Sequence, residues 1–121
     1  MEIRQVGEFT EDVIRLLSLD IKAGTPIYIG ASNLEHMQKS HPRDFRKYGS
    51  RLEKILSEPD YIGARDDGSI EYIKAFGMHI KVAVRVAQSG EYFARTLYHV
   101  DRNMAKRLVS AGAWKSAKAI D

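Results

Sequence analysis

The chain has 121 residues, a formal net charge of +3 and no cysteine. This length supports one domain with a single core, and the lack of cysteine excludes disulfides, thiolate metal sites and cysteine nucleophiles. The sequence contains neither a signal-peptide pattern nor the roughly 20 consecutive apolar residues of a membrane span, and its mild positive charge permits a nucleic-acid partner without requiring one. We therefore expect one cytoplasmic domain over residues 1–121, with no membrane contact.

The chain begins with a predicted helix and a short predicted strand. Thr10 is a typical capping residue, and two acidic residues and an apolar stripe follow it. This pattern predicts a helix at about residues 11–18. Glycine and proline then interrupt the pattern, and residues 27–29 predict a brief strand that ends at Gly30.

The next segment is predicted to be helical on both sides of Pro42. Ser32 with Glu35 three residues later has the pattern of a capping box, which opens a helix that Pro42 must stop or redirect. Proline also suits the first position of a new helix, and apolar residues at spacings of three and four extend that helix to about Ser57. His41, directly before the proline, could cap this second helix.

The second half of the chain changes to a period of two, which is typical of strands. Short turns separate its β-rich runs, so neighbouring runs are expected to pair antiparallel. The predicted strands span residues 61–65, 70–76, 80–87 and 91–99. Asp101 then caps a last helix to about residue 111, and Gly112 stops it. The sequence therefore predicts an α+β fold, with N-terminal helices packed on a four-stranded antiparallel β-meander and a C-terminal helix.

Alternation within the predicted strands assigns side chains to faces. In the third strand Lys81 and Arg85 share one face among small residues. The face expected to be buried carries Ile80, Val82, Val84 and Val86. In the fourth strand Arg95 and Thr96 are neighbours, so they point to opposite faces unless a bulge intervenes. A charged residue in the middle of an interior strand, such as Arg95, needs a reason.

The polar side chains favour metal-free chemistry. The four histidines lack the i, i+4 spacing of a helical zinc site, and no glycine-rich phosphate loop or nucleophile elbow is present. What is left is a set of His, Lys, Arg, Thr and Tyr residues without a carboxylate cluster. A neutral imidazole can take the proton of a ribose 2′-hydroxyl, a second group can protonate the departing 5′-oxygen, and Arg or Lys can stabilise the charge on phosphorus. This set predicts RNA cleavage with neither metal nor cofactor.

Ordered motifs also give the chain a family resemblance, which covers about residues 27–115. The segments that carry it are IYIGASNLEHMQKSHP, KILSEPDYIG, IEYIK, IKVAVRV and FARTLYHV. In this order they resemble the phage-associated branch of the Barnase–EndoU–colicin–RelE superfamily of nucleases. The most specific elements are the His-x4-His-Pro, L-x-x-P-D-x-I and R-T-x-Y patterns. The resemblance implies helices packed on a four-stranded antiparallel sheet, and a metal-independent ribonuclease of a kind often used as a toxin.

The resemblance also implies the site residues, because members draw His or Lys from the helices and Arg with Ser or Thr from the strands. The matching catalytic candidates are His36, His41, Arg95, Thr96 and Tyr98. The candidates for substrate binding are Lys39, Lys81 and Arg85. We expect His36 to act as the general base, and His41 or Tyr98 to act as the acid or as an orienting group.

The strand residues are expected to bind the reacting phosphate. Arg95, helped by Lys81 or Arg85, would stabilise the phosphorane, and Thr96 would bond a phosphate oxygen. Simpler explanations exist for some candidates, since Thr96 and Tyr98 are favoured strand residues in any sheet. The expected products carry a cyclic phosphate.

An RNA substrate is expected from the side chains as well as from the resemblance, whereas an inhibitory protein partner follows from the resemblance alone. The resemblance implies an RNA substrate, with tRNA among the options, and an inhibitory immunity or antitoxin protein for a phage- or mobile-element-associated toxin that acts in, or is delivered into, a target cell. The alternatives are a non-catalytic module that binds nucleic acid or protein on the same fold, and a phage accessory protein or inhibitor that has lost catalysis. Trp114 is expected to anchor the C-terminal tail rather than to stack on a base.

Overall fold

The computed structural model describes residues 2–118, and the strands of this part of the chain form one seven-stranded sheet. The strands are β1 Ile3–Glu8, β2 Pro26–Gly30, β3 Tyr61–Ala64, β4 Ile70–Ala75, β5 His79–Val86, β6 Tyr92–Val100 and β7 Lys115–Ser116. Across the sheet their order is β1-β2-β6-β5-β4-β3-β7. The pair β2 and β6 is parallel, and the other neighbouring pairs are antiparallel.

The predicted four-stranded antiparallel sheet is therefore wrong, because the sheet is mixed and larger. Strands β1 and β2 extend one edge through the parallel pairing of Ile27 with Tyr92, and β7 extends the other edge. A parallel pair joins segments that are far apart in the chain, so no turn motif in the sequence predicts it. In β1 most side chains are exposed and only Val6 is buried, which leaves little apolar alternation to detect.

The helices of the described part of the chain are α1 Glu11–Leu17, α2 Ala31–Ser40, α3 Pro42–Tyr48, α4 Leu52–Ser57 and α5 Arg102–Ser110. Three of the helices, α2 to α4, follow one another closely, whereas strands separate them from the first and the last helix. Two of the predicted caps are confirmed: Thr10 Oγ1 accepts a hydrogen bond from the Val13 N–H, and Asp101 Oδ1 accepts one from the Met104 N–H. No helix within residues 2–118 combines the length and the apolar character that a membrane crossing needs.

Helix α2 begins earlier than the sequence pattern predicts. The predicted capping box of Ser32 and Glu35 is wrong, because the cap is Gly30 and its N–H donates to Asn33 Oδ1 at 2.9 Å. Strand β2 runs directly into the helix at this glycine, with no loop between them. The first turn of α2 is therefore fixed at the end of a strand, which orients the side chains of the rest of the helix.

The single helix predicted from Pro42 to Ser57 is also wrong. Pro42 does start α3, but α3 ends at Tyr48, and a 3-10 turn over Gly49–Arg51 redirects the chain into α4. A Cβ atom at Gly49 would lie 3.1 Å from the Phe45 ring, so a larger residue would resist this turn. The turn allows Leu52, Ile55 and Leu56 of α4 to be buried. His41 precedes α3 but its side chain makes no capping hydrogen bond.

One face of the sheet, which we call the helix-covered face, carries the main apolar core. It includes Ile80, Val82 and Val84 of β5, which are fully buried as the alternation predicts. Val86 was expected to join them, but it is 50% exposed because it lies at the end of the strand. Helices α1 to α4 supply the other half of this core. Their buried residues are Val13, Met37, Tyr48, Leu52, Ile55 and Leu56.

The opposite face, which we call the cleft face, has a much smaller apolar cluster. It consists of Ile73, Val100, Ala105 and Trp114. Helix α5 and the segment after it cover only this part of the face. Trp114 is 2% exposed, which confirms that it anchors the C-terminal segment. The rest of the cleft face carries the charged side chains of β4, β5 and β6.

Candidate active site

A β-bulge in β6 brings Arg95 and Thr96 to the same face. Ala83 pairs with Thr96 and the next residue, Val84, pairs with Ala94, so Arg95 has no partner in the ladder. Ala94 and Leu97 are both fully buried on the helix-covered face, and the two residues between them both line the cleft on the other side. An extra residue in one strand reverses the alternation beyond it, which is the effect of a bulge. The predicted conflict between Arg95 and Thr96 is thereby removed.

The cleft on this face has a volume of about 550 Å³ and opens to solvent. It lies between the first turns of α2 and the charged side chains of β4, β5 and β6. Most of the candidate site residues predicted from the sequence line this cleft. They are His36, Lys81, Arg85, Arg95, Thr96 and Tyr98.

Helix α2 packs against β6 and places His36 at the rim of the cleft. The next residue, Met37, is 1% exposed and belongs to the main core. Burial of Met37 fixes the rotation of the helix, so His36 is held on the solvent side. The Ser40 hydroxyl lies 3.5 Å from both ring nitrogens of His36. His36 is exposed, so its imidazole is accessible to a ligand in the cleft.

Two nominated residues lie outside the cleft. Lys39 is exposed on α2 and lines no part of it. His41 lines a separate cavity with Asp44 and His99, but its ring stacks on the ring of Tyr98, with centroids 4.5 Å apart and an interplanar angle of 22°. His41 thus reaches the cleft only through its contact with Tyr98.

The cleft also contains Glu71, a carboxylate that the sequence reasoning missed. Glu71 is 4% exposed, and its Oε2 lies 3.0 Å from Lys81 Nζ and 3.6 Å from Arg65 Nη1. Its Oε1 accepts a hydrogen bond of 3.0 Å from Trp114 Nε1. The sequence did indicate this residue, because Glu71 is a charged residue in an interior strand, which is the feature that made Arg95 a candidate. These donors occupy both oxygens, as a buried carboxylate requires.

Lys81 is held between Glu71 and Tyr98. Its Nζ atom lies 4.7 Å from the centroid of the Tyr98 ring, within the range of a cation–π contact. Burial disfavours the charge on this ammonium, but its interactions with Tyr98 and Glu71 outweigh burial, so the pKa of Lys81 lies above its ordinary value. Lys81 is therefore a fixed positive charge beside the Tyr98 hydroxyl at neutral pH.

Among the four cations that line the cleft, Arg95 is the one without a polar side-chain contact in the described part of the chain. It forms no side-chain hydrogen bond or ion pair with any of residues 2–118, and its Nε atom is buried without a partner. Arg85 makes one long contact, from Nη2 to the carbonyl oxygen of Asp67 at 3.5 Å. Guanidinium groups with unused donors in a cleft are suited to bind the oxygens of a phosphate.

A carboxylate ties α3 to β6 behind Tyr98. Asp44 Oδ2 accepts a hydrogen bond from the His99 N–H and lies 2.9 Å from His99 Nδ1. Burial alone would raise the pKa of Asp44, but the His99 contacts and the nearby His41 ring outweigh it and lower the pKa. This contact fixes α3, and with it His41, against the strand that carries Tyr98.

Taken together, these groups can transfer protons and bind an anion. The cleft has an accessible imidazole at the rim, a phenol beside a fixed ammonium, and three guanidinium groups, of which that of Arg65 lies against Glu71. Within residues 2–118 no three His, Asp or Glu side chains are grouped as ligands for one metal ion.

Comparisons with known proteins identify the family. No curated protein and no solved structure matched the chain. A family model described as phage-Barnase-EndoU-ColicinE5/D-RelE like nuclease3 matches residues 4–107. This match confirms the resemblance and extends it toward the N-terminus, because it includes β1 and α1. The chain belongs to the family of phage-Barnase-EndoU-ColicinE5/D-RelE like nucleases.

Proposed function

We propose that this member of a nuclease family is an endoribonuclease that uses the 2′-hydroxyl of its substrate as the nucleophile. The observation that supports the proposal is the cleft in which His36 at the rim faces Arg95, Tyr98 and Lys81 on the strands. RNA carries its own nucleophile next to each phosphate. The protein then has to supply a base, an acid and positive charge, which are the groups that line this cleft.

In the proposed first step, His36 accepts the proton of the 2′-hydroxyl while the 2′-oxygen attacks the adjacent phosphorus. Imidazole suits this role because its unperturbed pKa lies near neutrality. His36 is a better candidate than Glu71, since both carboxylate oxygens of Glu71 are already bonded to Trp114 and Lys81.

Negative charge then develops on the oxygens bonded to phosphorus. Arg95 is the proposed main donor to these oxygens, because its guanidinium has unused donors and reaches the cleft from the bulge. Thr96, its neighbour on the same face, supplies a hydroxyl, and Arg85 adds a second cation. Fixed donors of this kind contribute most when they need no rearrangement during the reaction.

The bond from phosphorus to the 5′-oxygen breaks as that oxygen is protonated. Tyr98 is the proposed proton donor, and the Lys81 ammonium beside it stabilises the phenolate that is left. His41 stacks on the same ring and is proposed to orient it rather than to transfer protons. The products are a 2′,3′-cyclic phosphate and a free 5′-hydroxyl, and the protons return through solvent.

The test uses a short RNA and a matched oligonucleotide with a single 2′-deoxy nucleotide at the cleavage position. Purified protein is incubated with each in EDTA, beside the variants His36→Ala and Tyr98→Phe. Gln38→Ala is the matched control, because Gln38 lies on the same helix but outside the cleft. We expect a cyclic-phosphate product from the RNA alone, a loss of about 10²- to 10⁴-fold in rate for His36→Ala, and little change for Gln38→Ala.

Cleavage of the deoxy-substituted oligonucleotide at the same site would contradict the mechanism. Tight RNA binding without cleavage would instead favour a binding module on the same fold. We also propose a toxin role with an inhibitory protein partner, on the support of the family resemblance. Growth arrest on expression of the wild type, relieved by His36→Ala, would be its first sign.

A further inference from the structure

A second cavity adjoins the cleft on the same face of the sheet. Its volume is about 290 Å³, and Phe93 lines it. Ser32, Asn33 and Arg95 line both this cavity and the cleft. A ligand that occupies the cleft can therefore extend past Arg95 into the second cavity without leaving the surface.

An aromatic pair lies at this end of the cleft face. Phe93 pairs with Tyr28 across the parallel ladder, and their ring centroids are 5.9 Å apart. Phe93 also pairs with Arg85, whereas the next residue, Ala94, is buried on the helix-covered face. Residues that pair directly share a face, so both rings stand on the cleft face. Neither ring is fully buried.

Polar groups lie where the two cavities meet. Asn33 Oδ1 accepts the hydrogen bond from the Gly30 N–H, which fixes the side chain and leaves its amide NH₂ free to donate. The Ser32 hydroxyl is beside it in both cavities. An aromatic surface with a few fixed polar groups at its edge and a cation next to it matches the chemistry of a nucleobase joined to a phosphate.

We propose that this cavity binds a nucleobase of the RNA, stacked on Phe93, while the adjoining phosphate lies against Arg95. The inference rests on the proposed function, because it assumes that the cleft binds a phosphate of RNA. The inference adds a binding site for one base, and this site determines which position of the RNA is held in the cleft. Arg95 lies between the two cavities and contacts both the base and the phosphate.

The test measures binding without cleavage. A fluorescein-labelled RNA with every 2′-hydroxyl methylated is titrated with wild type, Phe93→Leu and Phe93→Tyr, and affinity is read from anisotropy. Phe76→Leu is the matched control, since Phe76 is a half-buried phenylalanine that packs on Tyr48 away from both cavities. We expect Phe93→Leu to bind about 10-fold more weakly, Phe93→Tyr to bind like wild type, and Phe76→Leu to show no change. Melting curves verify that each variant is folded.

A scan of single abasic positions in the same RNA identifies the base. At one position, removal of the base should weaken the wild type by about the same factor as Phe93→Leu, and Phe93→Leu should lose nothing further there. Equal affinity of Phe93→Leu and wild type for the intact RNA would overturn the base subsite and leave the proposed cleavage untouched. If Phe93→Leu binds the RNA more weakly but the wild type does not cleave RNA, the proposed cleavage is overturned and the base subsite is kept. No binding by the wild type at low salt would overturn both.

Discussion

On the helix-covered face of the sheet, Ile80, Val82 and Val84 are buried under four helices, whereas on the cleft face the same strand presents Lys81 and Arg85. The helix-covered face is stabilised by the burial of apolar surface. This stabilisation depends little on the direction of individual contacts. The cleft face has the smaller apolar cluster around Trp114, and beside it Glu71, a buried carboxylate bonded to Lys81 and Trp114. The main apolar core thus lies on one side of the sheet, and the other side carries the charged side chains of the cleft.

The largest expected contrast lies on β6, on the two sides of the bulge. Leu97 is fully buried on the helix-covered face, so Leu97→Ala should lower the free energy of unfolding by about 3 kcal/mol. Arg95→Met should leave that free energy unchanged or raise it, because it removes a buried Nε without a partner. Denaturant unfolding measures both. Cleavage by Arg95→Met should fall about 100-fold, and a destabilised Arg95→Met would contradict this division of roles.

The buried ion pair of the cleft face should also be costly to break. Glu71→Gln leaves the Lys81 ammonium, of which 11% is exposed, without its carboxylate, and we expect a loss of about 3 kcal/mol in stability. The double variant Glu71→Gln, Lys81→Met removes both charges and should recover part of that loss. Thermal and denaturant unfolding of the wild type, the single variants Glu71→Gln and Lys81→Met, and the double variant measure the coupling. Additive effects of the two substitutions would mean that the pair contributes nothing.

A smaller effect is expected where the C-terminal segment meets the sheet. A Cβ atom at Gly63 would lie 2.6 Å from the Ala113 carbonyl oxygen and 3.1 Å from Trp114 Cδ1. Gly63→Ala should therefore cost about 2 kcal/mol and increase the exposure of Trp114, which tryptophan fluorescence reports. Gly7→Ala is the comparison, because the atoms nearest to its Cβ would belong to the flexible Leu56 side chain, at 3.3 Å. A Gly63→Ala protein as stable as wild type would show that this contact can relax.

The smallest effect concerns Asp60, which accepts a 2.8 Å hydrogen bond from the Ala75 N–H and contacts Lys118 and Lys74. Burial would raise the pKa of Asp60, but these contacts outweigh it and lower the pKa below its ordinary value. A lowered pKa in the folded state stabilises the fold above about pH 4, and this stabilisation is lost as the pH falls through the folded pKa. Asp60→Asn should thus cost about 1 kcal/mol at pH 7 and progressively less below pH 4.

Unfolding curves of Asp60→Asn and wild type at a series of pH values test this. Lys118→Ala is the control, since that side chain is 69% exposed and its loss should change stability by under about 0.5 kcal/mol. A difference between Asp60→Asn and wild type that grows on acidification would have the wrong sign for this explanation.

Local pattern predicted four strands and the last helix of the second half of the chain to within about one residue at most ends, but it did not predict β7. The runs at 61–65 and 70–76 correspond to Tyr61–Ala64 and Ile70–Ala75. Period-two alternation and short turns are properties of neighbouring residues, so the sequence displays them directly. The helix cap at Asp101 was found for the same reason.

The candidate site was predictable in part. His36 and Arg95 could be nominated from their residue types and from the family motifs, and both line the cleft. Glu71 was missed although it is a charged residue in an interior strand, because its partners Lys81 and Trp114 come from other parts of the chain. His41 was nominated for the cleft, yet it lies behind Tyr98. The residue type of a side chain sets the chemistry that it can perform. The residues around it in the folded protein decide whether it is placed to perform that chemistry.

By itself, the sequence determined the α+β class, the alternation that separates apolar from charged side chains on β5, and the family. Tertiary structure alone decided the seven-stranded mixed sheet, the parallel pairing of β2 with β6, and the bulge that turns Arg95 and Thr96 to one face. The physical reason is the range of the interactions. Alternation and capping act between residues close in the chain, whereas sheet order and register minimise the free energy of packing across the whole molecule.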